Sequence, residues 1–229
     1  MGCRRPTVVR TGPLLASRWR RARWLVVAPH PDDETLGAGA LIAHAAAGRR
    51  LAAVVYLTDG TGSHPPGTPR LAIIRRDEAR TALRRLGAGD TRITWLNWPD
   101  AHPHALGSTA FGRDARRLSA ELRRRRVEAI AVTDASEDHC DHVAAFGLAM
   151  AAIRHARRRI ALFAYHVWSP TDRQRHYLRT PPMLAGQRRH ALRAHRSQLT
   201  SRLGDGFRLP RARLAMPSFD LLALCETGR

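Results

Sequence analysis

The feature that most constrains the fold is a regular alternation of short apolar runs with longer helical patterns. The apolar runs predict strands near residues 24–29, 51–57, 91–96, 127–132 and 160–167. The segments between them predict helices near residues 34–48, 70–87, 110–126 and 141–158. Strands separated by helices in this way are typical of a mostly parallel sheet that is covered by helices on both faces.

The length of the chain fits one such unit, because 229 residues with 44% hydrophobic content can bury one substantial core. We therefore expect an α/β fold, a single-domain Rossmann-like three-layer sandwich, over residues 23–229. Residues 1–22 are rich in arginine and short of apolar residues, so we expect a basic, loosely ordered leader that packs little. Near the other end we expect an Arg- and His-rich helix over 183–202 and an edge strand over 219–225.

Histidine and carboxylate residues follow two of the predicted strands, at the point where each strand ends. The segment Ala28–Glu34 reads Ala-Pro-His-Pro-Asp-Asp-Glu and follows the first strand, while Asp138–His142 reads Asp-His-Cys-Asp-His and follows the fourth. The carboxyl ends of parallel strands share one edge of a sheet, where ligands bind. We therefore expect both clusters to form one site.

A hydrolytic zinc site uses three nitrogen or oxygen ligands and keeps a fourth position for water. His30 and Asp33 can supply two of these ligands, and the His-x-x-His spacing of the second cluster can add one or both imidazoles. Asp32, next to a ligand, is the natural general base. The alternative is that Asp32 or Asp33 caps the following helix. Two clusters of the same composition, each at a strand end, favour the metal site.

These residues carry a family resemblance. The Pro-His-Pro-Asp-Asp-Glu stretch at 29–34, together with the later histidine pair, resembles the LmbE/PIG-L superfamily of zinc-dependent N-deacetylases. Two further segments resemble helices of that family, namely Arg75 to Glu78 with the later Leu86-Gly87, and the stretch from Ala191 to Gln198. The resemblance covers roughly residues 23–200.

The resemblance implies a role for each residue of the two clusters. It assigns one Zn²⁺ per chain, or another divalent metal, to His30, Asp33 and His142, and the general base to Asp32. It implies that His139 assists the oxyanion or protonates the leaving amine, and that Asp141 orients His139. Cys140 stands where the family commonly has proline, and we interpret it as a filler.

Substrate contacts are less directly readable. Arg75 could reach a substrate hydroxyl or phosphate, or could pair with Glu78 one turn along. Asp59 lies in Thr-Asp-Gly after the second strand and could form a turn or contact substrate. His102 and His104 could line the substrate cleft.

The net charge of +20 raises the alternative of a nucleic-acid binder. All the basic side chains are arginines spread along the chain and through most of the predicted helices, which favours a compositional preference over a binding patch. The positive field would still attract anionic substrates such as nucleotide sugars, phospholipids or lipid-linked sugars. An odd number of cysteines, three, argues against a secreted disulfide framework, so we expect a cytoplasmic protein. The chain lacks an apolar stretch of about 20 residues, so membrane contact would be peripheral.

The resemblance implies a hydrolase that removes the N-acetyl group from an N-acetylglucosamine-type sugar in a glycoconjugate. The products are acetate and a free amine, and the substrate is a small-molecule or lipid-linked acetylated sugar. Two alternatives stay open at this point. One keeps the metal and cleaves another amide or an ester, and the other is a non-catalytic basic binding module on the same fold.

Overall fold

The computed structural model describes residues 10–172 and 175–225. Its strands are β1 (Arg10–Pro13), β2 (Trp24–Ala28), β3 (Leu51–Tyr56), β4 (Ile93–Trp95), β5 (Ala129–Thr133), β6 (Ala161–Tyr165), β7 (His176–Arg179) and β8 (Leu221–Cys225). Its α-helices are α1 (Asp33–Ala47), α2 (Leu71–Arg85), α3 (Thr109–Arg124), α4 (Cys140–Ala156), α5 (Gln187–Leu192) and α6 (Arg196–Leu199). None of the helices in these ranges combines the length and apolar character needed to cross a membrane.

The strands form one sheet in the order β1-β7-β8-β6-β5-β2-β3-β4. Strands β6, β5, β2, β3 and β4 run parallel to their neighbours in that series, and β1 runs parallel to β7. Strand β8 is antiparallel to both β6 and β7. The prediction of a mostly parallel sheet is confirmed, and each of the five predicted strands is found within or close to its expected range.

Alternate side chains of β2 enter two separate cores. Trp24 and Val26 pack into the core beneath α1, α2 and α5, whereas Leu25 and Val27 pack into the core beneath α3 and α4. Both faces of the sheet are therefore covered, and the predicted three-layer arrangement is confirmed. Each fully buried aliphatic side chain contributes about 1.5–3 kcal/mol to this packing.

The described part of the N-terminal segment is packed against the domain, contrary to the expectation of a loose leader. Strand β1 extends the sheet by pairing with β7. Leu14 is fully buried, and the ring of Trp19 meets Phe163 edge-on with 5.6 Å between centroids. These two apolar side chains, placed between arginines, pack on the domain in addition to the pairing of β1. Residues 1–9 of the predicted leader lie outside the described residues.

The C-terminal part of the chain also differs from expectation. Strand β8 lies inside the sheet between β6 and β7, so the prediction of an edge strand over 219–225 is wrong. Strand β7 occurs in a stretch, between residues 168 and 182, for which the sequence pattern predicts neither a strand nor a helix. A polar composition does not exclude a strand here, because β7 needs only one buried aromatic side chain, Tyr177, to pack on the core.

The single helix predicted over 183–202 is broken into α5 and α6, with His195 between them. The break has a physical cause. Glu78 of α2 accepts hydrogen bonds from the backbone amide of Ser197 at 2.8 Å and from its Oγ at 2.6 Å. This carboxylate satisfies the free amide at the start of α6, so a new helix begins there.

The close packing of α1 on the sheet predicts a steric test of the fold. A Cβ added at Gly37 would lie 2.1 Å from Cδ2 of Tyr165, whose hydroxyl donates to the carbonyl of Val27 at 2.8 Å. Gly37→Ala should therefore lower the free energy of unfolding by about 1–3 kcal/mol, measured by urea denaturation.

Gly147 of α4 is the matched control, because a Cβ there meets no atom within 4 Å. Gly147→Ala should be neutral or raise the free energy of unfolding by up to about 1 kcal/mol, since alanine favours the helix. Equal effects of the two substitutions would contradict the packing of Tyr165 against α1.

Candidate metal centre

The first loop leaves β2 and turns sharply into α1 at Asp32. This residue has φ of +124°, a strained value for a residue with a side chain. Its backbone amide donates to Glu34 at 2.9 Å. Its carboxylate turns away from the first turn of α1, and Oδ2 accepts a hydrogen bond from Nε2 of Gln198 at 2.7 Å. The contacts of Asp32 therefore do not support the helix-capping alternative.

The next residue, Asp33, brings the two loops together. Its Oδ2 lies 3.1 Å from Nδ1 of His30 and 3.3 Å from Nε2 of His142, which comes from the first turn of α4. Strands β2 and β5 are neighbours in the sheet, so their carboxyl ends place the two clusters side by side. The expected juxtaposition of His30, Asp33 and His142 is what the structure contains.

Two spacings within the donor set fit a divalent metal of the zinc class. Ligand atoms bound to a tetrahedral zinc at about 2.0–2.1 Å lie about 3.3 Å from one another. The two spacings around Asp33 Oδ2 are of this size. Asp33 and His142 are almost fully buried and His30 is 14% exposed, so the set opens to solvent on one side. His139 adds a third imidazole, because His30, His139 and His142 each offer a nitrogen within 4.8 Å of the others.

The charges in this cluster affect one another strongly. Burial opposes ionisation of Asp33, but the charges and hydrogen bonds of His142 and His30 hold its pKa well below the usual range. Burial likewise opposes protonation of His142, but the charge of Asp33 outweighs it and raises the pKa of His142 to about 9. Asp33 is therefore a permanently ionised carboxylate at neutral pH.

The neighbouring carboxylate behaves in the opposite way. Burial, followed by the negative charge of Asp33, raises the pKa of Asp32 to about 7. A carboxylate whose pKa lies near neutrality can both accept and release a proton at physiological pH. Adjacent aspartates with opposite pKa shifts are typical of sites in which one carboxylate stays ionised and the other transfers protons.

Two further carboxylates lie at the far side of the His30 ring. Nε2 of His30 is 3.0 Å from Oδ2 of Asp141 and 3.1 Å from Oδ1 of Asp100. The same Asp141 oxygen is 3.9 Å from Nδ1 of His139, which instead accepts a hydrogen bond from the Asp141 backbone amide at 3.2 Å. Asp141 was predicted to orient His139. Its carboxylate lies closer to His30, because the start of α4 points it toward the first loop.

His139 lies at the mouth of the site. Its side chain is 42% exposed, and its ring meets that of His30 with 4.7 Å between centroids. Burial and the neighbouring charges of His30 and His142 lower its pKa. Cys140 follows it at the start of α4, and its thiol donates to the carbonyl of Ala101 at 3.4 Å, which links the start of α4 to the loop after β4.

Many of these residues line a cavity of about 490 Å³. Its polar lining includes residues of both clusters together with Asp100 and Gln198. The aromatic part of the lining consists of the rings of Trp168 and Phe207, which meet edge-to-face with 6.0 Å between centroids. A lining that combines polar groups with aromatic rings is common in small-molecule sites.

Three of the predicted substrate contacts, Arg75, Asp59 and His102, have different environments. Arg75 lines the cavity but is buried, and it donates to the carbonyl of Gly60 and to Oγ of Ser63, so it braces the loop after β3. Asp59 accepts from the amide of Thr61 at 3.3 Å and from its Oγ1 at 2.9 Å, which is the turn-forming alternative. His102 is exposed and lies outside the set of residues that line the cavity.

Sequence reasoning missed several residues of this site. Asp100 follows β4 at the same edge of the sheet, so the strand-end rule that found the other clusters could have included it. Gln198 lies in the late segment that carried the resemblance, but its contact with Asp32 depends on how α6 docks. Trp168 and Phe207 stand alone in irregular segments, where no local pattern marks them.

Comparison with known proteins identifies the family of this chain. The family model for PIG-L, described as GlcNAc-PI de-N-acetylase, matches residues 25–153, more than half of the chain. The chain belongs to the PIG-L family. The match contains both clusters, so the predicted LmbE/PIG-L membership is confirmed.

Individual proteins are similar to this chain in sequence or in fold. The uncharacterized deacetylase YaiS of Escherichia coli is 38% identical over 92 residues, which span 40% of this chain and 45% of YaiS. The fold is similar to that of N,N'-diacetylchitobiose deacetylase from Pyrococcus horikoshii, with a TM-score of 0.70 and 20% identity over 93% of this chain and 87% of that one. A conserved protein of Thermus thermophilus gives a TM-score of 0.62 and 24% identity, covering 91% and 96% of the two chains.

The ligand set predicts the metal content of the protein. Elemental analysis of protein supplied with zinc should give about one zinc per chain, and Asp33→Ala should lose it, because Asp33 contacts both imidazoles. Asp59→Ala is the control and should keep the metal, since Asp59 contacts its own turn. Zinc retained by Asp33→Ala would exclude this ligand set.

Proposed function

We propose that this PIG-L family member is a zinc-dependent N-deacetylase that acts on an N-acetylglucosamine-type sugar within a larger conjugate. The products are acetate and a free amine. The observation that carries the proposal is that Asp32, with its pKa near 7, lies next to Asp33 and the two imidazoles in one cavity. Family membership and the fold shared with a chitobiose deacetylase support it.

The proposed chemistry assigns one task to each residue. His30, Asp33 and His142 would hold the metal, which supplies Lewis-acid activation of water and of the acetyl carbonyl when bound. Asp32 accepts a proton from the attacking water, and Gln198 keeps the Asp32 carboxylate pointed into the cavity. His139, at the mouth of the site, stabilises the developing oxyanion, and the proton that Asp32 accepted from water passes to the leaving amine.

The walls of the cavity support a sugar as the substrate. The Asp100 carboxylate is a hydrogen-bond acceptor for hydroxyl groups near the reacting end of the cavity. The ring of Phe207, 38% exposed, lines the cavity beside Trp168 and offers an apolar surface on which the C–H face of a second ring can stack. The net charge of +20 favours conjugates that carry phosphate or another anion.

The reaction class is tested by a mass-spectrometric screen of acetylated sugar conjugates. Loss of one acetyl group with release of acetate is the expected result. A parallel panel of other amides and of acetate esters separates the alternatives, because the product that appears is either an amine or an alcohol. Turnover confined to esters, or no turnover by zinc-loaded protein, would reject the proposal.

The assignment of Asp32 predicts a variant that binds metal but is inactive. Asp32→Asn should keep about one zinc per chain and lose at least about 100-fold in kcat, because the amide cannot accept the proton. Asp59→Asn is the matched control outside the cavity and should stay within about twofold of wild type. An active Asp32→Asn enzyme would remove Asp32 from the role of base.

The aromatic wall predicts a dependence on substrate size. Phe207→Ala should raise KM about five- to tenfold for N,N'-diacetylchitobiose, because one stacking contact of about 1 kcal/mol is lost. It should leave KM for N-acetylglucosamine, which lacks the second ring, within about twofold. Equal changes for the two substrates would show that the second ring does not reach Phe207.

A further inference from the structure

The loop between β5 and α4 carries a buried carboxylate that the proposed reaction does not use. Glu137 is 3% exposed, although it lies on a loop whose neighbouring residues reach the surface. Taking a charge out of water is unfavourable unless hydrogen bonds replace the lost solvation. The partners of Glu137 therefore indicate what the residue does.

One side of the Glu137 carboxylate is held by the segment that follows β6. Its Oε1 accepts from the backbone amide of Val167 at 2.7 Å and from Oγ of Ser169 at 2.9 Å, and its Oε2 accepts from the amide of Trp168 at 3.1 Å. These donors belong to consecutive residues. These hydrogen bonds fix the position of the carboxylate. They also fix the backbone of Trp168, whose ring forms part of the cavity wall.

The other side of the carboxylate faces His142. Oε2 of Glu137 lies 3.6 Å from Nδ1 of His142, a buried nitrogen that makes no hydrogen bond to any described residue. The second ring nitrogen, Nε2, points at Asp33. A carboxylate beside Nδ1 favours the tautomer that carries the hydrogen there, and this leaves the lone pair of Nε2 free for a metal.

We propose that Glu137 is the positioning residue of the metal centre, because it sets the tautomer and ring orientation of His142 while it anchors the Trp168 side of the cavity wall. The inference rests on the metal site of the proposed function and does not depend on the substrate. It makes metal affinity and the shape of the cavity depend on one buried side chain.

The substitution Glu137→Gln keeps the contacts of residue 137 with the segment over 167–169 and changes its contact with His142. The segment over 167–169 offers donors to residue 137, so the amide oxygen of glutamine should turn toward it and the NH₂ group toward His142. Nδ1 then faces a donor instead of an acceptor. The hydrogen is driven to Nε2, on the side of Asp33, where the metal would bind.

The test is zinc affinity, measured by competition with a chromophoric chelator. Glu137→Gln should raise the zinc Kd about 10- to 100-fold relative to wild type. Asp134→Asn is the matched control, because Asp134 is a buried carboxylate on the same loop that bonds the amide of Ser136 and pairs with Arg175. Its zinc Kd should stay within about twofold of wild type. Unchanged affinity in Glu137→Gln, or an equal loss in Asp134→Asn, would overturn the proposal.

A second measurement needs no variant and decides the question if Glu137→Gln does not fold. In zinc-loaded wild-type protein labelled with ¹⁵N-histidine, the ring of His142 should carry its hydrogen on Nδ1, with Nε2 as the ligand. A hydrogen on Nε2 would overturn the proposal. Both measurements are independent of turnover, so failure to find an acetylated substrate leaves them unaffected, whereas wild-type protein that binds no zinc would overturn the metal site and this role together.

Discussion

A single buried oxygen atom joins the two halves of the site. Oδ2 of Asp33 lies between an imidazole from the loop after β2 and an imidazole from the start of α4. The contact is possible because β2 and β5 are adjacent and parallel, so that both loops leave the sheet at the same edge. Other contacts of the fold position the side chains around this oxygen. The Glu78 contact that starts α6 places Gln198 against Asp32, and Glu137 occupies the other side of His142.

The electrostatics follow from three consecutive acidic residues at the start of α1. Asp32, Asp33 and Glu34 are all buried, yet their surroundings differ. Asp33 is ionised because two imidazoles face it, whereas Asp32 lies beside that charge and has a raised pKa. Glu34 turns inward and accepts from the amide of Asp32. One short stretch of sequence therefore provides the proposed metal ligand, the proposed proton acceptor and a structural anchor.

Prediction from sequence succeeded where local patterns have a direct physical meaning. The alternation of strands and helices predicted the parallel part of the sheet, because period and length are properties of each segment alone. It failed for β8, whose apolar run is equally compatible with an edge or an interior position. It also failed for residues 10–22, where Leu14 and Trp19 were too few to outweigh the arginines in composition, although both pack on the domain and β1 joins the sheet.

The sequence by itself determined the fold class, the family and the side chains that meet at the sheet edge, because ligand type, spacing and strand ends are local properties. The tertiary structure decided which atoms of those side chains face one another. It placed Asp141 and Asp100 beside His30, Gln198 beside Asp32, and Glu137 beside His142. These contacts join elements that are distant in the chain, and their distances depend on how helices and loops pack together, which no local pattern encodes.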